Sequence, residues 1–343
     1  MIRKLLLGIG FSLLTSYTFA QVTSCAQTLR LAQSTYEQGR LHEIPIILES
    51  CLKSGGFNQQ EKVQAYKILT NAYIYLEEPE QADQMMLNLL NTDHYFEVNE
   101  AVDPAEFVAL YKTFRTTPIY RFGGKLGSIA SKPNVANAIE PTEGTSVYKR
   151  GFAFTAALSF EIPITPKLTF NPEVNYLINS FTFTNTIPTD GGDFTLTAVQ
   201  KLNYISLPLA VQYKVMDNSW NPYAVAGVAF DLLIGGTVKS ERSRPGFQPI
   251  ESSTFEIADQ RGNINTSALV GAGVKRKIGG GFAVAEIRYR YGLANVNTNA
   301  TTFDNQNLTF NYHYVDSIFK INALSFTLGY VHNIFNPKKL KSK

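Results

Sequence analysis

The stretch FAVAEIRYRYGL, Phe282 to Leu293, decides the fold. Its alternate residues Ala283, Ala285, Ile287, Tyr289, Tyr291 and Leu293 are apolar, and between them stand Glu286, Arg288 and Arg290. A strand sends successive side chains to opposite faces, so this segment has one apolar face and one charged face. A soluble sheet would turn the charged face to water. A membrane barrel does the reverse, with the apolar face to lipid and the charges in the lumen. The remainder of the chain favours the barrel.

The first twenty residues, MIRKLLLGIGFSLLTSYTFA, have the form of a secretory signal peptide. Arg3 and Lys4 precede the apolar run Leu5 to Leu14, and Thr18-Phe19-Ala20 offers a small-residue cleavage site. The run is shorter than the roughly 20 residues a spanning helix needs. Val22-Thr23-Ser24 before Cys25 make a poor lipobox, so no lipoprotein is expected. Beyond residue 20 no apolar run is long enough to span as a helix, which leaves a soluble exported protein or an outer-membrane barrel. Two cysteines in 343 residues exclude a disulfide-rich scaffold. No basic cluster is interleaved with aromatics, so nucleic acid is not an expected partner.

Residues 21–115 carry helical periodicity. Leu29, Leu31, Ala32 and Tyr36 follow helical spacing and Gly39 ends the run. A second helix spans about His42 to Leu52 with Pro45 in its first turn, where a missing N–H is harmless. A further pair is expected over Gln60 to Leu76 and Pro79 to Leu90, and a last helix starts at Asp103-Pro104, read as N-cap and first turn. The hairpin spacing, with Ala32, Tyr36, Gly39 and Leu41, then Leu69, Ala72, Tyr73 and Ala82, resembles tetratricopeptide repeats. That resemblance implies a small protein-binding platform; a compact spacer is the alternative. Cys25 opens the first helix and Cys51 nearly closes the second. Antiparallel packing makes these ends neighbours, so a disulfide is expected in an oxidising periplasm.

From Ile119 onward alternation replaces helical periodicity, and eight strands are expected over residues 119–336. Phe152, Phe154, Leu158, Phe160 and Ile162 oppose Ala153, Thr155, Ala157, Ser159 and Glu161. Leu168, Phe170, Val174, Tyr176 and Ile178 oppose Thr169, Asn171, Glu173 and Asn175. Leu207, Leu209, Val211, Tyr213 and Val215 oppose Ser206, Gln212 and Lys214. The fifth strand, Pro222 to Leu233, is so uniformly apolar and small that its faces are ambiguous. Three links are short: Thr165-Pro166-Lys167, MDNSWN from Met216 to Asn221, and Ile278-Gly279-Gly280. The others, about 131–150, 183–200, 235–263 and 295–315, are long and polar. Short and long links alternate, as in outer-membrane barrels with short periplasmic turns and long outer loops. Both barrel ends then lie on the short-turn side, which puts the helical module in the periplasm. The basic segment 337–343 is expected as a solvated periplasmic tail.

An eight-stranded barrel is just wide enough for side chains to fill. Lone charges inside would be expensive, so Glu173 and Glu286 are expected to pair with Arg288, Arg290 and Lys125, alongside Glu161 and Lys275. Tyr213, Tyr223 and Tyr330 on the turn side, and Tyr204 and Tyr291 on the loop side, are expected as interface aromatics.

The segments NYISLPLAVQY (Asn203 to Tyr213), RFGGKLG (Arg121 to Gly127) and SFTLGYVHNIF (Ser325 to Phe335) resemble the PorT-like outer-membrane β-barrel proteins of Bacteroidota. The resemblance covers about residues 119–336. It implies an outer-membrane barrel, in some relatives serving type IX secretion and gliding. The helical module in front departs from a plain barrel.

Little points to catalysis. The four histidines, His42, His94, His313 and His332, are scattered. His313 with Asp316 and Ser317 is the sole nearby trio, and in a strand residue 316 would face away from the other two. No cluster of His, Cys, Asp or Glu marks a metal site. Asp190-Gly191-Gly192-Asp193 is a weak calcium candidate and more simply a loop tip. No cofactor and no enzymatic activity are expected. The fold class is α+β: a small all-α helical-hairpin domain followed by an eight-stranded antiparallel transmembrane barrel. Expected partners are outer-membrane lipid and a periplasmic or outer-membrane protein, in a non-catalytic anchor or adaptor role. The alternatives are a ligand-binding or adhesin barrel acting through its long loops, a small pore, and a hydrolase.

Overall fold

The computed structural model describes residues 24–139, 144–216, 219–297 and 305–340. The signal-peptide segment 1–20, Asp217 and Asn218 of one short turn, part of the last long loop and the final three residues lie outside them. The chain forms two compact units, residues 1–117 with 336–343, and residues 118–335. No described helix is long and apolar enough to cross a membrane.

The first unit holds five helices: α1 (Cys25–Glu37), α2 (Ile44–Ser54), α3 (Gln59–Tyr75), α4 (Pro79–Thr92) and α5 (Ala105–Lys112). Capping boxes start two of them. The Ser24 and Asn58 side chains accept from the Gln27 and Glu61 backbones, and each cap is answered in return. One core joins Ala32, Ile44, Leu48, Ala65, Leu69 and Ala72, and a second joins Val63, Met86, Leu89, Leu90, Phe107 and Phe114. Cys25 and Cys51 are bonded, with their Cα atoms 5.7 Å apart. Leu31 and Ile46, which fit the helical spacing, point to solvent instead. Asp103 does not cap α5, which begins one residue later than expected, after Pro104. Its carboxylate accepts from the Asn99 N–H and pairs at 2.5 Å with Lys67, itself over the rings of Phe96 and Phe107.

The carboxy-terminal segment is a correction. Residues 336–340 are tied by their backbone to the helical unit rather than free, with Pro337 buried and the others exposed. Arg115 N–H donates to Lys338 O at 3.0 Å, Leu340 N–H donates to Thr113 O at 2.8 Å, and Lys339 pairs with Asp83. The free backbone edge at Thr113 to Arg115, just past α5, gives an extended segment something to bridge, and composition does not display such an edge.

The second unit is an antiparallel meander: β1 (Tyr120–Asn137), β2 (Thr145–Pro163), β3 (Leu168–Ile187), β4 (Phe194–Lys214), β5 (Pro222–Ser243), β6 (Ile250–Glu256), β7 (Ile264–Ile278), β8 (Gly281–Gly292) and β9 (Ile318–Ile334). Each pairs with its neighbour except β6, which only lengthens the free end of β5, while β5 pairs with β7. β1 closes on β9 from Tyr120–Ile334 to Asn137–Ile318, so eight strands complete the ring. Gly123 and Gly127 permit that closure: a Cβ at either would lie 1.9 Å from a β9 carbonyl oxygen.

The strands β1 to β5 are longer than the sequence predicts, whereas β7, β8 and β9 agree with it to within a residue. β3, β4 and β5 run 20, 21 and 22 residues. About 9–11 residues suffice to cross a bilayer. Most of the links expected as long loops at 131–150 and 183–200 are therefore strand. The alternation persists through them but changes sign. On β4 the outward residues Tyr213, Val211, Leu209, Leu207 and Ile205 are apolar, and the inward ones include Gln212, Ser206 and Tyr204. Past Asn203 the outward residues become Lys201, Val199, Thr197 and Thr195, and the inward ones Leu202, Gln200, Ala198 and Leu196, so the switch holds at all but one position on each face. β3 switches at the paired level: Val174, Tyr176 and Ile178 outward give way to Thr182, Thr184 and Thr186, while inward Glu173 and Asn175 give way to Leu177, Phe181 and Phe183. β9 does the same between Leu324 and Asn322. The ring thus has an apolar-jacketed half with polar contents and a polar-jacketed half with apolar contents. A reading that seeks apolar outward residues stops at the switch, which is why the strands were drawn short.

Candidate functional site

The polar lumen of the jacketed half is assembled from one residue or a few per strand. Lys125 on β1, Glu173 on β3, and Glu286 and Arg288 on β8 meet at its centre, all buried. Arg288 donates to both oxygens of Glu173 at 2.7 and 2.8 Å, and its Nε lies 2.6 Å from Glu286 Oε1, off the angle of an aligned hydrogen bond. Lys125 pairs with Glu173 and lies 3.1 Å from Glu286. The remaining Glu286 oxygen accepts from the Tyr223 hydroxyl at 2.8 Å. Toward the short turns a second layer sets Glu161 between Arg121 at 3.2 Å and Lys275 at 2.6 Å, with Gln212 and Asn171 bridging.

Arg290 does not join the Glu173 cluster, contrary to expectation. It points one layer toward the long-loop end and pairs with Asp231 at 2.6 Å, with Ser206 at 3.0 Å. Two residues along a strand is one full pleat, so Arg288 and Arg290 share a face but reach different neighbours. Asp231 escaped the sequence reading because β5 was ambiguous. Its place between outward Phe230 and Leu232 was the signal available. The void left in the centre, bounded by Lys125, Glu173, Glu286, Arg288 and Arg290, is about 30 Å³. A space of that size is of the order of one water.

The aromatics divide. Tyr213, Tyr291 and Tyr330 point outward and are exposed. Tyr204 and Tyr223 are corrections: they are 0% and 4% exposed and lie inside the ring. Tyr204 has the parity of Ser206, and Tyr223 that of Asp231; nearness to a strand end outweighed parity in the sequence reading.

The long-loop half is closed by the chain itself. The short helix α6 (Gln306–Asn311) and the residues after it turn inward, burying Leu308, Tyr312 and Tyr314 among Phe181, Phe183, Leu196, Val238, Ile257 and Phe319. One ionic group sits in this apolar plug. Asp316 pairs with Arg261, and the Gln200 amide donates to Asp316 at 2.7 Å and accepts from Arg261 at 3.0 Å. Asp316 is thereby held away from His313, and the Ser317 hydroxyl accepts from Ile139 N–H at 3.4 Å. Among the described residues no group of His, Cys, Asp or Glu could hold a metal ion.

At the rim of this half a cavity of about 410 Å³ lies between the β3–β4 turn, the end of β5 and the loop after α6. Its walls include Phe194, Arg242, Arg244, Phe247 and His313. Arg242 stacks 4.3 Å from the Phe194 ring and Arg244 4.7 Å from the Phe247 ring. Burial holds the Arg242 guanidinium below its ordinary range. His313 is lowered by burial and then by the charge of Arg242.

Residues 120–298 match the family described as the outer membrane protein beta-barrel domain. No curated protein matches the chain. Among solved structures, Neisserial surface protein A shares 13% identity over 62% of this chain and 97% of its own, with a TM-score of 0.26. OprG of Pseudomonas aeruginosa shares 9% over 64% and 98%, with a TM-score of 0.30. Outer membrane protein W of E. coli shares 14% over 64% and 98%, also with a TM-score of 0.30. Likenesses this distant carry no information on function.

Proposed function

Since the chain belongs to the outer membrane protein beta-barrel domain family, we propose that it is a non-catalytic outer-membrane anchor whose helical unit, on the periplasmic side, docks a protein of an envelope or secretion-related complex. The observation that carries this reading is the filled lumen. The ion-paired layers and the inward-folded plug leave a central void of about 30 Å³, which argues for an anchor over a conduit. The pairing of Tyr120 with Ile334 at the short-turn end supports the orientation, because the flanking segments then leave the barrel on the side where an exported chain starts.

The resemblance to PorT-like barrels and to tetratricopeptide hairpins supports the same reading. So does a groove of about 450 Å³ on the helical unit, lined by Tyr73, Ile74, Ala109 and Leu110 with Glu77, Glu78 and Glu106, and by Lys339, which is paired with Asp83. Apolar side chains with an excess of carboxylates suit a basic, partly apolar segment of a partner protein. A photo-cross-linking residue at Ala109, in cells carrying the full chain, tests it. A defined adduct that disappears when Leu110 is replaced by Glu supports docking. No adduct at any groove position, together with an unchanged envelope after deletion of residues 24–115, contradicts it.

A further inference from the structure

The rim cavity differs from the ion-paired layers of the lumen. Inside the ring, cations meet carboxylates: Lys125 with Glu173, Arg290 with Asp231, Arg261 with Asp316. At the rim two guanidiniums and an imidazole share one cavity wall with no carboxylate among its lining residues. Arg242 donates to Asn311 O at 2.9 Å, a bond that leaves its charge uncompensated. Arg244 has no carboxylate partner among the described residues, and its buried Nε has no hydrogen-bond partner. No ion pair of Arg242 or Arg244 with a nearby acid is found among the described residues. Glu241 is on the outward face of β5, and Asp190 and Asp193 are exposed at the β3–β4 turn.

The cavity is also shaped around these charges. Gly191 leaves room for Arg244, since a Cβ there would lie 2.9 Å from its Nη2. His313 holds a left-handed backbone, φ 57°, a conformation rare for a non-glycine residue and commonly kept where a side chain must be aimed. The rest of the lining is mixed, with Ile187, Phe194, Phe247 and Ile250 beside Thr189, Ser243 and Gln248. A guanidinium stacked on an aromatic ring keeps a planar fork of donors that matches phosphate geometry.

We propose that this cavity binds an organic phosphate ester: a phosphate head held by Arg242 and Arg244, and a ring or hydrocarbon body lying on Phe194, Phe247 and Ile250. The inference needs only the long-loop rim of the barrel and stands whether or not the helical unit docks a partner. The cavity lies at the far end of the polar-jacketed half, where Arg242 pairs with Leu196 well beyond the apolar band that ends at Ile205, so the ester is that of a soluble molecule.

The test uses the full chain in an uncharged detergent, with phenyl phosphate, inorganic phosphate and phenol as calorimetric probes. Phenyl phosphate is expected to bind at least tenfold more tightly than either fragment, because only it meets both walls. Arg244→Met, which removes no hydrogen bond to a described residue, should weaken it tenfold or more with the β-sheet signal and melting temperature unchanged. Arg242→Met should weaken it similarly, and Phe247→Ala should weaken phenyl phosphate while sparing inorganic phosphate. Equal binding of phenol and phenyl phosphate, or full affinity in Arg244→Met, overturns the proposal. Repeating the titration in nanodiscs of phosphatidic acid and of phosphatidylcholine should leave phenyl phosphate binding unchanged. Occlusion of the site by phosphatidic acid would mean that a lipid phosphate fills it and would overturn a soluble ester.

Discussion

Arg288 grips Glu173 with two parallel hydrogen bonds, Nη1 to Oε2 at 2.7 Å and Nη2 to Oε1 at 2.8 Å, across the middle of the barrel. Both are buried, and each is also tied to the other members of one cluster, Lys125 and Glu286. Breaking one side leaves an uncompensated charge where water has little room, at a cost of about 3–5 kcal/mol. Glu173→Gln and Arg288→Met should therefore each lower the urea midpoint of the vesicle-inserted protein substantially. The double variant Glu173→Gln with Arg288→Met, which leaves Lys125 facing Glu286, should lose less than the sum of the two. Additive losses would mean the pair is not a unit.

The disulfide links α1 to α2 across 26 residues of sequence. Closing a loop of this size stabilises by about 3 kcal/mol in the chain-entropy account. Cys25→Ser with Cys51→Ser should lower the melting temperature of the helical signal in the full chain and leave that of the β-sheet signal unchanged. Non-reduced peptide mapping of the wild type should recover the two cysteines in one linked fragment.

His313 provides a pH handle outside the apolar-jacketed half. Its pKa in the fold is lowered, by burial first and by Arg242 second, with Phe194 as its ring neighbour. A lowered folded pKa means that the folded chain binds the proton less well than the unfolded chain. The associated stability is present above the ordinary histidine range and is lost as pH falls through the folded value. Proteolysis within residues 305–317 should accordingly speed up on going from pH 7.5 to pH 5, and His313→Gln should reduce that change. The effect is small, since the ring is largely exposed.

Much of this was legible beforehand, and for identifiable reasons. β8 could be read residue by residue, because Ile287, Tyr289 and Tyr291 alternate with Glu286, Arg288 and Arg290 so sharply that one register fits. Strand pairing brought Lys125, Glu173, Glu286 and Arg288 together because they share inward parity. What escaped was whatever depends on a change of environment along a strand. Thr182, Thr184 and Thr186 look like loop, yet they are the outward face of β3 beyond the apolar band, where Phe181 and Phe183 now point in. The plug escaped for the same reason: Leu308, Tyr312 and Tyr314 sit in a polar-looking link, and only closure of the ring shows that there is an apolar cup for them to fill. Asp231 was hidden by a β5 whose two faces are equally small.

The lumen makes a plain electrical prediction. With the central void bounded by paired charges and the far half filled by Tyr312, Tyr314 and Phe319, the protein in planar bilayers should give no sustained single-channel conductance. Steady openings in the wild type would contradict an anchor and favour a conduit.

The most direct test of the account is the change of polarity on β4. Both native cysteines are bonded, so single cysteines can be placed at outward positions 199, 201, 205, 207, 209 and 211 without a competing thiol. In proteoliposomes the positions at Val199 and Lys201 should react with a membrane-impermeant maleimide, and those at Ile205, Leu207, Leu209 and Val211 should be protected until detergent is added. Uniform reactivity along the strand, or protection at 199 and 201 with exposure at 205 to 211, would contradict the lipid-facing band.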